Sequence, residues 1–89
     1  MLIFWVIQNS LNIMFELTSH AKERMEKYAI TEEMIKDCML NPDKIIRTYE
    51  NRKIYQKALN GYVLRVIVEE KEINTIITCY KARRKRYEI

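Results

Sequence analysis

The sequence holds one histidine and two cysteines in 89 residues. Cys38 and Cys79 stand far apart with no CxxC pair, and a single histidine does not complete a ligand set with them, which argues against a zinc site. Long hydrophobic runs are also missing. The opening stretch Met1-Leu2-Ile3-Phe4-Trp5-Val6-Ile7 is far short of a membrane span, and it lacks the basic flank and small-residue cleavage site of a signal peptide. Membrane insertion and export are both disfavoured, and a cytoplasmic setting with two reduced thiols fits the cysteine usage. Spacing alone leaves a bridge between the two cysteines open.

At 48% hydrophobic and 31% charged residues the composition is ordinary for a globular chain, and the length suits one domain with one modest core. Sixteen Lys and Arg stand against 12 Asp and Glu, giving a net charge of +4. The excess is concentrated near the C-terminus, where Lys81, Arg83, Arg84, Lys85 and Arg86 put five cations within six residues. Such a density attracts phosphate backbones, although a solvated tail has the same composition. The segment Met1–Ile13 reads either as an extra strand over an edge or a neighbouring subunit, or as a leader ahead of a start at Met14. The leader is the preferred reading, since Gln8 to Asn12 carry no strong periodicity and read as a connector.

Ala21, Met25 and Tyr28 recur at helical spacing, with Thr18 or Ser19 placed to cap a first helix over Ser19 to Tyr28. Thr31 caps a second, followed by Glu32 and Glu33 where the helix dipole favours acids, and Met34, Ile35, Cys38 and Met39 form its apolar stripe. Asn41-Pro42 stops it. Four strands are expected after that, Lys44–Tyr49, Lys53–Leu59, Tyr62–Glu69 and Glu72–Lys81, as an antiparallel meander. Asn60-Gly61 suits a type I′ turn and sets Gln56 opposite Arg65, Lys57 opposite Leu64 and Tyr55 opposite Val66.

The fold class expected is therefore α+β, two N-terminal helices on one face of a four-stranded antiparallel sheet. If the turns hold even numbers of residues, Leu64, Val66, Val68, Ile73, Thr75, Ile77 and Cys79 share the face beneath the helices. Arg47, Tyr49, Gln56, Arg65, Thr78 and Tyr80 then share the other, interspersed with Ile54, Ile67 and Ile76. Cations hold phosphates, and tyrosine or arginine stacks on unpaired bases, so this second face suits RNA as well as a half-solvated outer surface.

Ser19-His20-Ala21-Lys22-Glu23-Arg24-Met25, then Tyr28-Ala29-Ile30-Thr31, Asn41-Pro42-Asp43, Leu64-Arg65-Val66-Ile67-Val68 and Thr78-Cys79-Tyr80, resemble the family called domain of unknown function 4258. The likeness spans roughly Phe15 to Tyr87. In element order such domains are similar to the RelE/ParE-like toxins, small metal-independent RNases and gyrase poisons. The resemblance implies an RNase-type fold of the RelE-like or barnase type, and it carries over His20, Arg24, Arg65, Thr78 and Tyr80 as the polar positions to watch.

Metal-free RNA cleavage needs a base for the 2′-hydroxyl, an acid for the leaving oxygen, and cations for the phosphorane charge. Histidine is the side-chain type whose ordinary pKa, about 6.5, suits either proton role, and Arg24 follows His20 by one helical turn. In this scheme Arg65 neutralises the scissile phosphate, Tyr80 donates a proton or stacks, and Thr78 bonds a phosphate oxygen. The helices should cover the face opposite Arg65 and Tyr80, so His20 can join them only from an edge.

Three readings follow: a metal-independent endoribonuclease toxin with an antitoxin partner, a non-catalytic RNA- or ribosome-binding module, and a protein-interaction domain. A gyrase-type poison is a variant of the first. No cofactor is expected, and a homodimer stays open.

Overall fold

A computed structural model describes the backbone of residues 2–8 and 11–86 and the side chains of residues 15–85. Strands β1 (Leu2–Gln8) and β2 (Leu11–Leu17) precede helices α1 (Ser19–Tyr28) and α2 (Glu32–Leu40). Strands β3 (Lys44–Arg47), β4 (Arg52–Leu59), β5 (Tyr62–Glu69) and β6 (Asn74–Arg83) follow, and a 3₁₀ turn, Arg84–Arg86, ends the described chain. Among the described residues no helix is long and apolar enough to cross a membrane.

Capping chemistry sets the helix ends. Thr18 Oγ1 accepts from the Ala21 amide at 3.0 Å and donates to the Ile77 carbonyl at 2.9 Å, so one hydroxyl both starts α1 and ties it to β6. Thr31 caps α2, its Oγ1 accepting from the Met34 amide at 3.1 Å. Between the helices Ala29 sits in the left-handed region at φ 53, a conformation that the alanine Cβ opposes and glycine adopts freely. Ala29→Gly should therefore raise stability by about 0.5–1 kcal/mol, read as a higher urea midpoint with unchanged slope.

The expected α+β class with two helices is what the chain forms, but the sheet is larger and mixed. Its order is β1-β2-β6-β5-β4-β3, six strands, with β2 parallel to β6 and the other neighbours antiparallel. The four-stranded antiparallel meander is one part of it. Gln8 and Leu11-Asn12, read as connector, end β1 and begin β2, whereas Asn9 and Ser10 lie outside the described residues. The pairs set by Asn60-Gly61 hold as expected: Gln56 opposes Arg65 and Tyr55 opposes Val66.

Two turns change what lies on each face. Thr48 N–H donates to the Arg52 carbonyl at 3.0 Å across a three-residue loop in which Glu50 has φ 61. An odd loop reverses parity, so Arg47 opposes Lys53 on the helix side rather than joining Gln56, and Tyr49 projects from the turn, 76% exposed. The β5–β6 turn is longer than expected, and the register shifts at Ile67/Val68. This bulge turns Ile76 into the core, fully buried, and puts Thr75 opposite Glu69.

The core lies between the helices and one sheet face. Phe15, Leu17, Leu64, Val66, Val68, Ile76 and Cys79 meet Ala21, Ile30, Ile35 and Cys38 there. Both cysteines are free thiols in this layer, so the bridge left open by their spacing does not form. Burial pushes their thiols up, Cys38 to about 12 and Cys79 to about 11, which keeps them inert as nucleophiles at neutral pH.

Candidate nucleic-acid interface

Tyr28 of α1 and Tyr80 of β6 line one cavity at an edge of the sheet; His20 and Arg24 are joined to each other on α1 and are not among its described lining residues. β2 pairs with β6 only at Asn74, Thr75 and Ile76, after which Thr18 turns the chain into α1. Beyond Ile77, β6 has no strand on that side among the described residues, and α1 runs alongside it. Cys79 Sγ donates to the Ala21 carbonyl at 3.8 Å, which sets the alignment. A helix rises about 1.5 Å per residue and a strand about 3.3 Å, so His20 falls near the level of Thr78, Arg24 near Tyr80 and Tyr28 near Ala82.

His20, Arg24 and Tyr28 follow one another at four-residue spacing and form one stripe along α1. Arg24 Nε donates to His20 Nε2 at 3.4 Å, with the imidazole exposed at the start of the helix. Tyr28, which the apolar periodicity assigns to the core, does pack against it but also reaches outward. Its ring lines an open cavity of about 580 Å³ with Tyr80, Lys81, Ala82, Arg83 and Lys85. Lys22 and Glu26, on the opposite flank of α1, line a separate hollow with Leu17, Met25, Ile30 and Glu32.

The sheet contributes a cross-strand row. Gln56, Arg65 and Tyr80 are neighbours on three adjacent strands. Arg65 Nε donates to Gln56 Oε1 at 2.6 Å and Arg65 Nη1 to the Tyr80 hydroxyl, with the guanidinium 5.6 Å from the Tyr80 ring centre. Gln56 is only 1% exposed. It is therefore placed to hold Arg65 rather than to touch a ligand, and Arg65 in turn orients the phenol at the cavity. Thr78 lies one step back along β6 on the same face, opposite Ile67.

The cations separate into two groups. Near the β3–β4 and β5–β6 turns, Glu70 takes both Arg47 at 3.3 Å and Lys53 at 2.9 Å, and these partners, Lys53 first, hold its carboxyl below the usual glutamate range. Arg47 is thus spent at the far end of the sheet. By contrast Lys81, Arg83, Arg84 and Lys85 make no ion pair among the described residues. Lys81 and Arg83 belong to β6 itself, and Arg83 and Lys85 also border a second basic hollow of about 460 Å³ with Gly61, Tyr62 and Arg84. The side chain of Arg86 lies outside the described residues.

Away from this groove, Lys57 Nζ lies 3.1 Å from Asp37 Oδ2, and the lysine hydrogen bond holds the Asp37 carboxyl below its ordinary value. A depressed carboxylate stabilises the fold above its unfolded pKa, and that contribution is lost as pH falls through the folded pKa. Asp37→Asn should flatten the acid limb of a stability-against-pH curve below about pH 4, with stability at pH 7 lowered by less than about 1 kcal/mol because the Asp37 side chain is half exposed.

The family model described as Domain of unknown function (DUF4258) matches residues 17–81, from the end of β2 to Lys81. The chain belongs to this family. No curated protein and no solved structure matches it. The DUF4258 match takes in His20, Arg24, Tyr28, Arg65, Thr78 and Tyr80, and leaves out most of the β1–β2 hairpin and the cations after Lys81.

Proposed function

We propose that this DUF4258 protein acts on RNA in the groove between α1 and β6, as a metal-independent endoribonuclease and the toxin of a toxin–antitoxin pair. The observation that carries the reading is the cavity in which Tyr28 of the helix and Tyr80 of the sheet meet three cations, with no carboxylate among the described lining residues. Two aromatic rings beside cations that make no ion pair among the described residues suit stacked bases with bridging phosphates. Two helices over one face of a sheet also accord with a RelE-like or barnase-type RNase, a likeness that belongs to the proposal. A cytoplasmic location and an RNA or ribosomal substrate follow from it.

In the cleavage step His20 takes the 2′-hydroxyl proton and O2′ attacks phosphorus. The P–O5′ bond breaks, Tyr80 gives its proton to O5′, and the His20 imidazolium returns one to the phenolate. Products are a 2′,3′-cyclic phosphate and a 5′-hydroxyl. Thr78, near His20 along β6, hydrogen-bonds a phosphate oxygen, Arg24 and Lys81 offset the phosphorane charge, and Arg65 keeps the phenol placed. The test is total RNA or translating ribosomes incubated in EDTA, followed by end analysis. Cyclic-phosphate ends support the enzyme; intact RNA with salt-sensitive binding supports a binding module instead. That second reading draws on Arg65, whose donors to Gln56 and Tyr80 are already committed.

A further inference from the structure

The hydrogen-bond phase of β6 identifies which backbone groups its edge presents. Arg84 N–H donates to the Gly61 carbonyl at 2.9 Å, and Gly61 and Arg84 continue the register in which Tyr62 opposes Arg83 and Arg65 opposes Tyr80. Residues in an antiparallel pair alternate between bonding their neighbour and facing away. Thr78, Tyr80 and Ala82 therefore bond β5, whereas Cys79, Lys81 and Arg83 turn their N–H and C=O groups outward. The Ile77 carbonyl agrees with this phase, since it accepts from Thr18 on the outer side.

This outward row continues the lane that β2 occupies at the other end of β6; no described strand pairs with it, α1 runs beside it from Thr18, and the cavity at Tyr28 opens along its Tyr80–Arg83 stretch. Natural proteins guard such an edge with a bulge, a proline or a covering element. Here the bulge lies behind, at Ile67/Val68, and no proline falls in β6. The cavity along the lane is lined by Lys81, Arg83 and Lys85, with no carboxylate among its described lining residues.

We infer that the edge from Cys79 to Arg83 accepts an extended acidic segment of a partner protein as an added strand. Backbone pairing supplies the fit, and the cations select the acidic sequence over neutral or basic ones. Five residues from Cys79 to Arg83 span about 15 Å, enough for two to three backbone pairs. An added strand would cover the cavity at Tyr28 and Tyr80, so it would exclude RNA; this consequence alone rests on the RNA reading.

The probe is a fluorescein-labelled nine-residue peptide of alternating Glu and Val, compared with its Lys–Val counterpart and with a copy N-methylated at alternate residues. Amide exchange of Cys79, Lys81 and Arg83 should slow when the acidic peptide binds, while Thr78, Tyr80 and Ala82 stay as protected as before. Lys81→Pro removes one outward N–H without touching the β5 ladder and should weaken binding at least tenfold at unchanged Tm, whereas Lys81→Gln should cost only a few-fold. Equal binding by Lys81→Pro, or by the N-methylated peptide, overturns the inference. So does protection confined to other elements. With labelled RNA present, the acidic peptide should displace it. An absence of RNA binding would refute the RNA reading while the amide protection still decides strand addition, and simultaneous binding of both would refute exclusion.

Discussion

Phe15→Ala should cost about 3–5 kcal/mol, a large share of the roughly 5–15 kcal/mol that holds a small domain folded. Phe15 is fully buried on β2 in the layer between sheet and helices, and β2 is the strand whose end, through Thr18, places α1 against β6. Losing its ring leaves a cavity at the point where the helix is fixed to the sheet. The urea midpoint should fall sharply with little change in slope, and the groove on α1 and β6 should lose its order together with the core. A loss below about 1 kcal/mol would mean that the β2 side of the core is not packed as described.

His20→Ala should lower RNA cleavage by a factor of about 10² to 10⁴, the range for removing a general base or acid, with no loss of fold because the imidazole is exposed. RNA affinity in inactive protein should fall little, since the phosphates are held by Lys81, Arg83 and Lys85. Replacing those three by Gln should do the reverse, lowering the salt dependence of binding by about three charges. Cleavage that survives in His20→Ala would assign the base elsewhere, whereas parallel loss of binding and cleavage would make His20 a contact rather than a proton carrier.

Local chemistry made much of this architecture readable. Thr18, Thr31 and Asn41-Pro42 announced the helix ends, and Asn60-Gly61 fixed the pairing of Gln56 with Arg65. Parity across the other two turns was not readable, because nothing in Tyr49-Glu50-Asn51 declares a three-residue loop with a left-handed Glu50. The bulge that buries Ile76 is likewise a tertiary event. Parallel pairing of β2 with β6 joins segments about sixty residues apart, beyond any short-range pattern.

The candidate site was legible in its parts and not in its assembly. His20 with Arg24, and Arg65 with Tyr80, were each visible, yet opposite sheet faces argued against one site. The short pairing of β2 with β6 leaves an edge at which α1 reaches the second group through Tyr28, which shares a cavity with Tyr80. The four-residue spacing of His20, Arg24 and Tyr28 was the signal that could have moved Tyr28 from the core to the groove.

A titration of isotope-labelled protein with a short single-stranded RNA, followed through backbone amide shifts, addresses the shared groove most directly. The prediction is that His20, Arg24 and Tyr28 shift together with Tyr80, Lys81 and Arg83 along one binding curve. Shifts confined to Arg84 and Lys85, or distinct curves for helix and strand, would contradict a single site.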